Sequence, residues 1–349
     1  MTETLAMPAV AASDVAPAPL LEVRDVHKDY LVSSGFFGQN KQTLHALDGV
    51  SLQLAAGKTM GVVGESGCGK STLAKVIVML EPPTEGQVLF EGRDIYALRG
   101  AELKEYRRQV QFIFQDPYSS LPVRMSVGTI LTEPLAIHGI GTPAERVERA
   151  RQLLALVGLA ESDLKRYPHM FSGGQRQRIC IARALALEPR LLICDEPVSA
   201  LDVSIQAQIL RLLGDLQQQL KLTYMIISHD LRVIKYMCDE LAVMYLGRVV
   251  ETGDAAEIYR APLHPYTSAL VRSIPSHGDI RRRGNRFSFL QGEVPSPLKA
   301  PSGCHFHPRC PLRAQLGPAE ARRCSDEVPA LRRISPQHAT ACHFAERMG

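Results

Sequence analysis

The segment "MGVVGESGCGKST", residues 60–72, places a glycine-rich loop directly after a short apolar run. A helical pattern follows the loop, and this strand, loop and helix context lets successive backbone N–H groups converge on a polyphosphate. Lys70 is expected to reach the β and γ phosphates, and the Ser71 hydroxyl is expected to ligate Mg²⁺. The candidate nucleotide-binding residues are therefore Gly64, Glu65, Ser66, Gly67, Cys68, Gly69, Lys70, Ser71 and Thr72.

Further apolar runs alternate with helical patterns along the chain. The runs are "VQFIFQ", "LLICDE", "TYMIIS" and "LAVMYLG", and their length and continuous apolar character are typical of strands buried on both faces. Helix candidates lie at 70–80, 144–157, 175–187 and 203–220. This order predicts an α/β fold with a largely parallel sheet.

Three segments depart from this alternation. Residues 1–19 are rich in Ala and Pro, and we expect them to form a disordered leader. Residues 118–188 contain helical patterns and loops without a convincing strand, which indicates a helical subdomain inserted into a nucleotide-binding domain at 20–262. From residue 263 to residue 349 periodicity fades while Pro, Arg, His and Cys increase, so we expect a separate C-terminal extension.

Composition limits the class of protein. The chain has 349 residues, 45% hydrophobic content and a net charge of +4 with acids and bases well mixed. A full core is therefore expected, and the bulk charge gives no support to nucleic-acid binding. No apolar run approaches the roughly 18 residues of a membrane span, and the N-terminus lacks a signal-peptide core. We expect a cytoplasmic chain, either soluble or peripheral to a membrane.

Two acidic residues end the apolar run "RLLICDEP". Ligands of a doubly wound sheet bind at the carboxyl ends of its strands, so Asp195 and Glu196 should lie near the phosphate loop. Asp195 is then suited to orient Mg²⁺ through its water shell, and Glu196 to polarise a water for attack on the γ-phosphate. The alternative is that both acids simply cap the next helix.

Two other polar residues follow apolar runs in the same way. His229 in "IISHD" comes 33 residues after Glu196 and is a candidate γ-phosphate sensor, or else a helix cap. Gln115 in "IFQDP" is a candidate contact to Mg²⁺ or to the attacking water. Glu196, His229 and Gln115 are thus the candidate catalytic residues, and Ser71, Gln115 and Asp195 the candidate Mg²⁺ residues.

A second glycine-rich stretch, "FSGGQRQRI" at residues 171–179, opens another helical pattern. Ser172 is a good N-cap, and the helix start presents N–H groups to an anion. A cap alone leaves Gly173, Gly174 and Gln175 unexplained. The helical insertion has no evident way to fold over its own phosphate loop, so we expect a second subunit to supply this stretch. ATP would then be buried between the "SGGQ" of one subunit and the "GCGKST" of the other.

Four of the eight cysteines cluster in the tail, at Cys304, Cys310, Cys324 and Cys342. Nothing marks the chain for export, so we expect reduced thiols or metal ligands rather than disulfides. Four thiolates can hold zinc or an iron–sulfur cluster, but their spacing matches neither a zinc-finger nor a ferredoxin pattern. The spacing alone leaves a metal site and plain buried thiols equally open.

Taken in order, the chain's motifs resemble those of the ATP-binding cassette (ABC) ATPases. The resemblance is carried by Tyr30, "GESGCGKST", Gln115, "FSGGQ", "LLICDEP", "SALD" and His229. It implies an ABC-type P-loop NTPase core, in which an antiparallel β subdomain accompanies the mostly parallel sheet, and a dimer that sandwiches ATP. It also implies that Tyr30 stacks on adenine, that Gln115 links to a membrane subunit, and that Asp202 lies in a dimer-facing loop.

The later motifs are similar to those of the ATPase subunits of bacterial dipeptide and oligopeptide importers. They are "IFQDPYSSL", "YPHMFSGGQRQRI", "HPYTSAL" and "GEVPSPLKAPSGCHFHPRC". This resemblance implies a peripheral subunit on the cytoplasmic face of the inner membrane that couples ATP hydrolysis, with Mg²⁺, to peptide import. Its implied partners are a second ABC ATPase in a hetero- or homodimer, two membrane permeases and, indirectly, an extracytoplasmic binding protein.

Two details qualify this resemblance. Some family members carry a [4Fe-4S] cluster at similar cysteines, which favours a ligand role for the tail cysteines, with Zn²⁺ as the alternative. The segment "SLPVRM" at 120–125 departs from the usual Ser-Leu-Asn-Pro-Arg-Met close to Gln115, at the expected permease contact.

Two alternative functions remain open from the sequence. One is a soluble ABC ATPase that acts on DNA or ribosomes. Such proteins usually carry a long coiled coil, zinc modules within the cassette or two cassettes, and none of these features is seen. The other is an importer ATPase for another cargo, such as glutathione or a nickel chelate, because the cargo is chosen by other subunits.

Overall fold

The computed structural model describes residues 18–34, 40–274 and 292–348. Most of the predicted leader, residues 1–17, lies outside this part of the chain. Within the described residues, the structure has no helix with both the length and the apolar character needed to span a bilayer.

The strands form two sheets. A 4-stranded antiparallel sheet has the order β2-β1-β4-β5, and an 8-stranded sheet has the order β11-β12-β10-β9-β3-β8-β7-β6. The bounds are β1 (Leu21–Ser34), β2 (Asn40–Leu54), β3 (Thr59–Val63), β4 (Glu85–Phe90), β5 (Arg93–Asp94), β6 (Val110–Ile113), β7 (Leu191–Asp195), β8 (Thr223–Ser228), β9 (Glu240–Tyr245), β10 (Arg248–Asp254), β11 (Arg332–Ser335) and β12 (His338–Thr340).

The centre of the larger sheet is parallel and buried on both faces. Strands β9, β3, β8, β7 and β6 pair in parallel, and successive side chains enter different cores because they point to opposite faces. In β8, Tyr224 and Ile226 join one core while Met225 and Ile227 join the other. This confirms the predicted α/β fold class and explains why the apolar runs lack alternation.

Helices cover both faces of the sheet. They are α1 (Lys70–Ile77), α2 (Gly100–Gln109), α3 (Pro117–Ser120), α4 (Val127–His138), α5 (Pro143–Leu156), α6 (Gly173–Leu185), α7 (Val203–Leu220), α8 (Leu231–Met237), α9 (Ala255–Arg260), α10 (Pro265–Arg272) and α11 (Pro318–Asp326). Between β6 and β7 the chain is helical or irregular throughout. Helices α4, α5 and α6 pack through one shared core in this segment.

The C-terminal part of the chain adds two short strands to the edge of the main sheet. Strand β12 pairs with β10, with His338 opposite Gly253 and Thr340 opposite Glu251. The fully buried Glu251 carboxylate accepts the backbone N–H of His264 at 2.8 Å and lies 2.6 Å from the His338 Nε2 atom. This contact could not be predicted from the sequence because β11 and β12 are short and largely polar.

Candidate functional site

The strand order brings the predicted site residues to one edge of the sheet. Strand β3 leads into the glycine loop, β8 leads into His229, β7 ends at Asp195, and β6 ends two residues before Gln115. Because these neighbouring strands are parallel, their carboxyl ends lie at the same edge.

The loop at residues 64–72 wraps around the start of α1. Gly69 has a φ of 104°, which favours glycine, and a Cβ there would lie 2.4 Å from the Ala46 carbonyl oxygen. The Lys70 ammonium is buried and donates to the carbonyl oxygens of Gly64 and Glu65 at 2.8 and 3.0 Å. These backbone contacts hold the lysine over the loop that is expected to take the phosphates.

Asp195 lies against the end of this loop. Burial raises the pKa of its carboxyl group, and a hydrogen bond with the Ser71 side chain opposes that rise. Its Oδ1 atom is buried and lacks a hydrogen-bond partner among the described residues. A buried carboxylate oxygen without a partner beside a hydroxyl suits a hard cation such as Mg²⁺.

Glu196 is held between two of the predicted residues. Gln115 Nε2 donates to its Oε2 atom at 2.8 Å, and His229 Nδ1 lies 2.9 Å from its Oε1 atom. Glu196 itself has a φ of 46°, a left-handed conformation that costs free energy for a residue with a side chain. This backbone turn at the end of β7 directs the carboxylate to the edge where the phosphate loop lies.

Tyr30 lies beside the last residue of the loop. Its hydroxyl donates to the Glu81 carboxylate. Burial raises the pKa of Tyr30, and the nearby Thr72 side chain opposes that rise. The structure therefore places this aromatic residue next to the loop that is expected to bind the triphosphate. Adenine stacking by Tyr30 stays a prediction.

The stretch "SGGQ" begins α6, with Ser172 as its N-cap as the sequence predicted. Ser172 and Gln175 form a capping box: the Gln175 side chain accepts the Ser172 N–H at 3.0 Å, and the Ser172 hydroxyl accepts the Gln175 N–H at 3.4 Å. A Cβ on Gly174 would lie 2.5 Å from Ile205 Cγ2. The capping box includes Gln175 as well as Ser172, and close packing against Ile205 requires a glycine at Gly174; nucleotide binding by these residues stays a prediction.

The predicted site residues form two groups. The glycine loop, Tyr30, Gln115, Asp195, Glu196 and His229 gather at the sheet edge. Gly173 instead lies beside Leu201 and Tyr118, and Gly174 beside Ile205. The exposed Asp202 lies between Leu201 and Ile205 in the chain, so it belongs to this second group. The two groups therefore have different neighbours within the chain.

The tail cysteines line one small cavity together. Apolar side chains such as Phe306 and the polar side chains His264, His307, Arg313 and His343 line it together with Cys304, Cys310, Cys324 and Cys342. Burial raises the pKa of all four thiols, to about 12 for Cys304 and about 11 for Cys342. In the described part of the chain, no three or more His, Cys, Asp or Glu side chains are arranged to hold a metal ion. The predicted zinc or iron–sulfur site thus finds no support; Cys324 and Cys342 are buried free cysteines, and Cys304 and Cys310 are half-buried ones.

Two residues at the phosphate loop were not predicted. Arg309 donates two hydrogen bonds to the Glu65 carboxylate, and the Tyr266 hydroxyl accepts the Glu65 N–H. Both lie in motifs that had drawn attention only as marks of resemblance, "HPYTSAL" and "CHFHPRC". Their spacing in the sequence carries no sign of this contact.

Comparison with known proteins identifies the family. The family described as "ABC transporter" matches residues 47–199, and "Oligopeptide/dipeptide transporter, C-terminal region" matches residues 250–316. The oligopeptide transport ATP-binding protein AppF of Bacillus subtilis (strain 168) is 48% identical over 329 residues, which cover 93% of this chain and 97% of AppF. The chain belongs to the ATP-binding proteins of the oligopeptide/dipeptide ABC transporter family.

Another relative of this ABC ATPase has a similar match. The di/tripeptide transport ATP-binding protein DppF of Pseudomonas aeruginosa (strain UCBPP-PA14) is 48% identical over 329 residues, covering 94% of this chain and 98% of DppF. Membership of the family implies ATPase activity coupled to transport, as the sequence predicted.

Solved structures share the core of the ATPase. The ATP-binding cassette MJ0796, as a post-hydrolysis dimer bound to ADP and Pi, matches with a TM-score of 0.59 and 29% identity over 67% of this chain and 98% of that chain. The cbiO1 protein from Clostridium perfringens, part of the ABC transporter complex cbiONQ, also has a TM-score of 0.59 and 29% identity, over 70% of this chain and 91% of that one. These similarities support the ABC fold of the sheet and its helices.

Proposed function

We propose that this chain is the ATP-hydrolysing subunit of an importer for dipeptides or oligopeptides. Relatives that match it over nearly their full length are named as oligopeptide and di/tripeptide transport ATP-binding proteins. The observation that carries the catalytic part is the position of Glu196, whose carboxylate is held by Gln115 and lies beside His229 at the edge that bears the phosphate loop.

The roles of the site residues follow from this geometry. Glu196 orients the attacking water and accepts its proton, and Gln115 and His229 fix the direction of the carboxylate. Lys70 and the loop N–H groups bind the phosphates, and His229 senses the γ-phosphate. Asp195, Ser71 and Gln115 would hold Mg²⁺, which neutralises charge on the phosphate oxygens when it is bound.

A second ABC ATPase subunit completes the site. The neighbours of Gly173 and Gly174 are Leu201, Tyr118 and Ile205 rather than the phosphate loop of the same chain, and Ser172 and Asp202 are exposed. The adjoining Val203 is 80% exposed, so this end of α7 offers an apolar contact. The solved MJ0796 cassette is a dimer. We propose head-to-tail pairing with a copy of this chain or with a related ATPase.

The permease contact is proposed at a groove beside Gln115. The segment 118–188 forms the helical subdomain in this proposal, and the groove lies between its helices α4 and α6 and strand β6, lined in part by Phe112, Phe114, Leu121 and Ile137. Phe114 is 46% and Ile137 is 66% exposed. A cytoplasmic segment of one permease would cover these apolar side chains, and a segment of the second permease would contact the partner ATPase. These contacts would carry the motion of the ATPase dimer. The chain would then be peripheral on the cytoplasmic face of the membrane, with an extracytoplasmic peptide-binding protein as an indirect partner.

Uptake in cells tests the proposal. Deletion of the gene should abolish uptake of labelled di- and oligopeptides, and the wild-type gene should restore it while the Lys70→Ala gene should not. Uptake of a free amino acid serves as the control. If peptide uptake is normal but uptake of glutathione or of a nickel chelate is lost, the assignment of peptides as the cargo is wrong, whereas the role as a transport ATPase is retained. If no uptake changes, the transport function is contradicted.

A further inference from the structure

The C-terminal part of the chain contacts the core next to the phosphate loop through buried aromatic rings. Tyr245 ends strand β9, and its ring centroid lies 4.8 Å from that of Tyr266 on α10 and 5.2 Å from that of Phe306. Tyr266 and Phe306 are 5.4 Å apart, and all three side chains are buried. Such a cluster buries a large apolar area and fixes the segments that carry it.

Arg309 extends from this cluster to the loop itself. Its Nη1 and Nη2 atoms donate to the two Glu65 carboxylate oxygens at 2.8 and 3.1 Å, and Nη1 also lies 3.3 Å from the Tyr245 hydroxyl. The Arg309 side chain is 6% exposed and that of Glu65 is 25% exposed. A two-point ion pair at a largely buried position restricts both side chains in direction as well as distance.

The backbone of Glu65 is held from the same side. Its N–H donates to the Tyr266 hydroxyl at 2.8 Å, and its carbonyl oxygen accepts from the Lys70 ammonium at 3.0 Å. The side chain, N–H and carbonyl oxygen of one loop residue are thus all bound. Two of these three contacts come from residues more than 200 positions later in the chain.

We propose that Arg309 and Tyr266 are positioning residues for the phosphate-binding loop, so that the docked C-terminal part of the chain sets the affinity of the ATPase for ATP. The loop binds phosphates through N–H groups that must converge, and a loop already held in that arrangement loses less conformational entropy on binding. Release of Glu65 would let the first half of the loop move away from Lys70. The inference rests on the proposed role of this loop in ATP binding.

Equilibrium ATP binding tests the proposal in the full-length chain. Arg309→Met should raise the Kd for Mg·ATP about ten-fold, within the range usual for coupling between distant groups. Arg309→Lys keeps the charge but not the two-point geometry, and it should recover only part of the affinity. Tyr266→Phe removes only the acceptor for the Glu65 N–H and should raise the Kd about five-fold. In turnover assays the KM for ATP should rise more than kcat falls.

Arg313 provides the matched control. It is a half-buried arginine of the same region whose hydrogen bonds go to Ala321 and Ser325, both within that region. Arg313→Met should lower the melting temperature without changing the Kd for ATP. If Arg309→Met lowers the melting temperature in the same way and leaves the Kd unchanged, Arg309 is only structural and the proposal is overturned.

A double-mutant cycle separates this inference from the function of the loop. If Arg309 acts through Glu65, the variant with both Arg309→Met and Glu65→Gln should bind ATP about as weakly as the weaker single variant. If the double variant instead raises the Kd by the product of the two single factors, the two residues act independently, which contradicts the proposal. Failure of the wild-type chain to bind ATP in the same titration would instead contradict the assignment of the loop. If Arg309→Met fails to fold, the test relies on Tyr266→Phe alone. An unchanged Kd for ATP in that variant overturns the inference.

Discussion

His229 Nδ1 lies 2.9 Å from the Oε1 atom of Glu196, although the two residues are 33 positions apart in the chain. The contact arises because β7 and β8 are parallel neighbours and both end at the edge of the phosphate loop. The other carboxylate oxygen accepts from Gln115. Glu196 therefore has a fixed direction, which is a requirement for a group that must orient a water.

Glu196→Gln should retain ATP binding and lose hydrolysis. The amide can keep a hydrogen bond with Gln115 but cannot accept a proton from water, so we expect kcat to fall at least about 100-fold. The variant should accumulate as an ATP-bound closed dimer with its partner, which sedimentation in the presence of ATP would detect.

Glu188→Gln is the control for this change. Glu188 also has a left-handed backbone, with a φ of 54°, but its side chain pairs with Arg149 far from the loop. Its substitution should leave turnover unchanged. Undiminished phosphate release by Glu196→Gln would count against the role of Glu196.

Lys70→Ala should abolish ATP binding or turnover. The buried Lys70 ammonium is the charged donor that is expected to reach the phosphates. Its removal also leaves the Gly64 and Glu65 carbonyl oxygens without their hydrogen-bond donor. Lys75→Ala is the control on the same helix, because Lys75 pairs with Glu81 at the surface. Equilibrium binding of ATP and phosphate release would be measured for both. Activity that survives Lys70→Ala would show that the loop is assigned wrongly.

Gly174→Ala should destabilise the chain even though alanine normally favours a helix. The new methyl group would lie 2.5 Å from Ile205 Cγ2, and such overpacking costs about 1–3 kcal/mol. Gly214 lies within α7, and a methyl group there has no heavy atom within 4 Å. Gly214→Ala should therefore stabilise the chain by about 0.5–1 kcal/mol. Urea unfolding of both variants checks the contrast, and equal effects of the two changes would refute the packing argument.

The free energy of unfolding should fall in mild acid because of His264. Burial lowers the pKa of this histidine to about 4 from 6.5, against the opposing effect of Glu251. Well above pH 6.5 the histidine is neutral in both the folded and the unfolded chain. As the pH falls towards 4, His264 takes up a proton in the unfolded chain but stays neutral in the folded chain. The free energy of unfolding therefore falls, by about 3 kcal/mol in full.

Comparison of urea unfolding at pH 7 and pH 5 measures this effect. His264→Asn offers the Tyr266 N–H an acceptor in place of the imidazole Nδ1 atom, which accepts it at 3.1 Å. Between pH 7 and pH 5, the free energy of unfolding of the wild type should fall by about 2 kcal/mol more than that of this variant. Equal losses would show that His264 does not titrate as its burial requires.

Some of the site was accessible from sequence because its residues follow strands. The loop at 64–72, Gln115, Asp195, Glu196 and His229 each come at or just after the end of an apolar run. In a parallel sheet these ends share one edge, so local pattern and a general rule of topology together predicted their approach.

Other features depended on contacts between distant parts of the chain. The capping box that Gln175 forms with Ser172 was readable from their spacing in the sequence, whereas nucleotide binding by Gln175 stays a prediction. The reason for Gly174 could not be read, because it depends on how α6 approaches Ile205. The tail cysteines do gather around one cavity, yet the sequence could not show whether the thiols lie close enough for a metal.

The sequence by itself determined the five buried parallel strands, four of the helices, the glycine loop and the family to which the chain belongs, because each depends on residue type and short-range spacing. Tertiary structure alone decided that β12 extends the main sheet and that Arg309 and Tyr266 hold Glu65. Those contacts join residues far apart in the chain, and their free energy depends on burial and on the direction of each hydrogen bond. Burial and hydrogen-bond direction cannot be read from the linear order of residues, because both are fixed only when the chain folds.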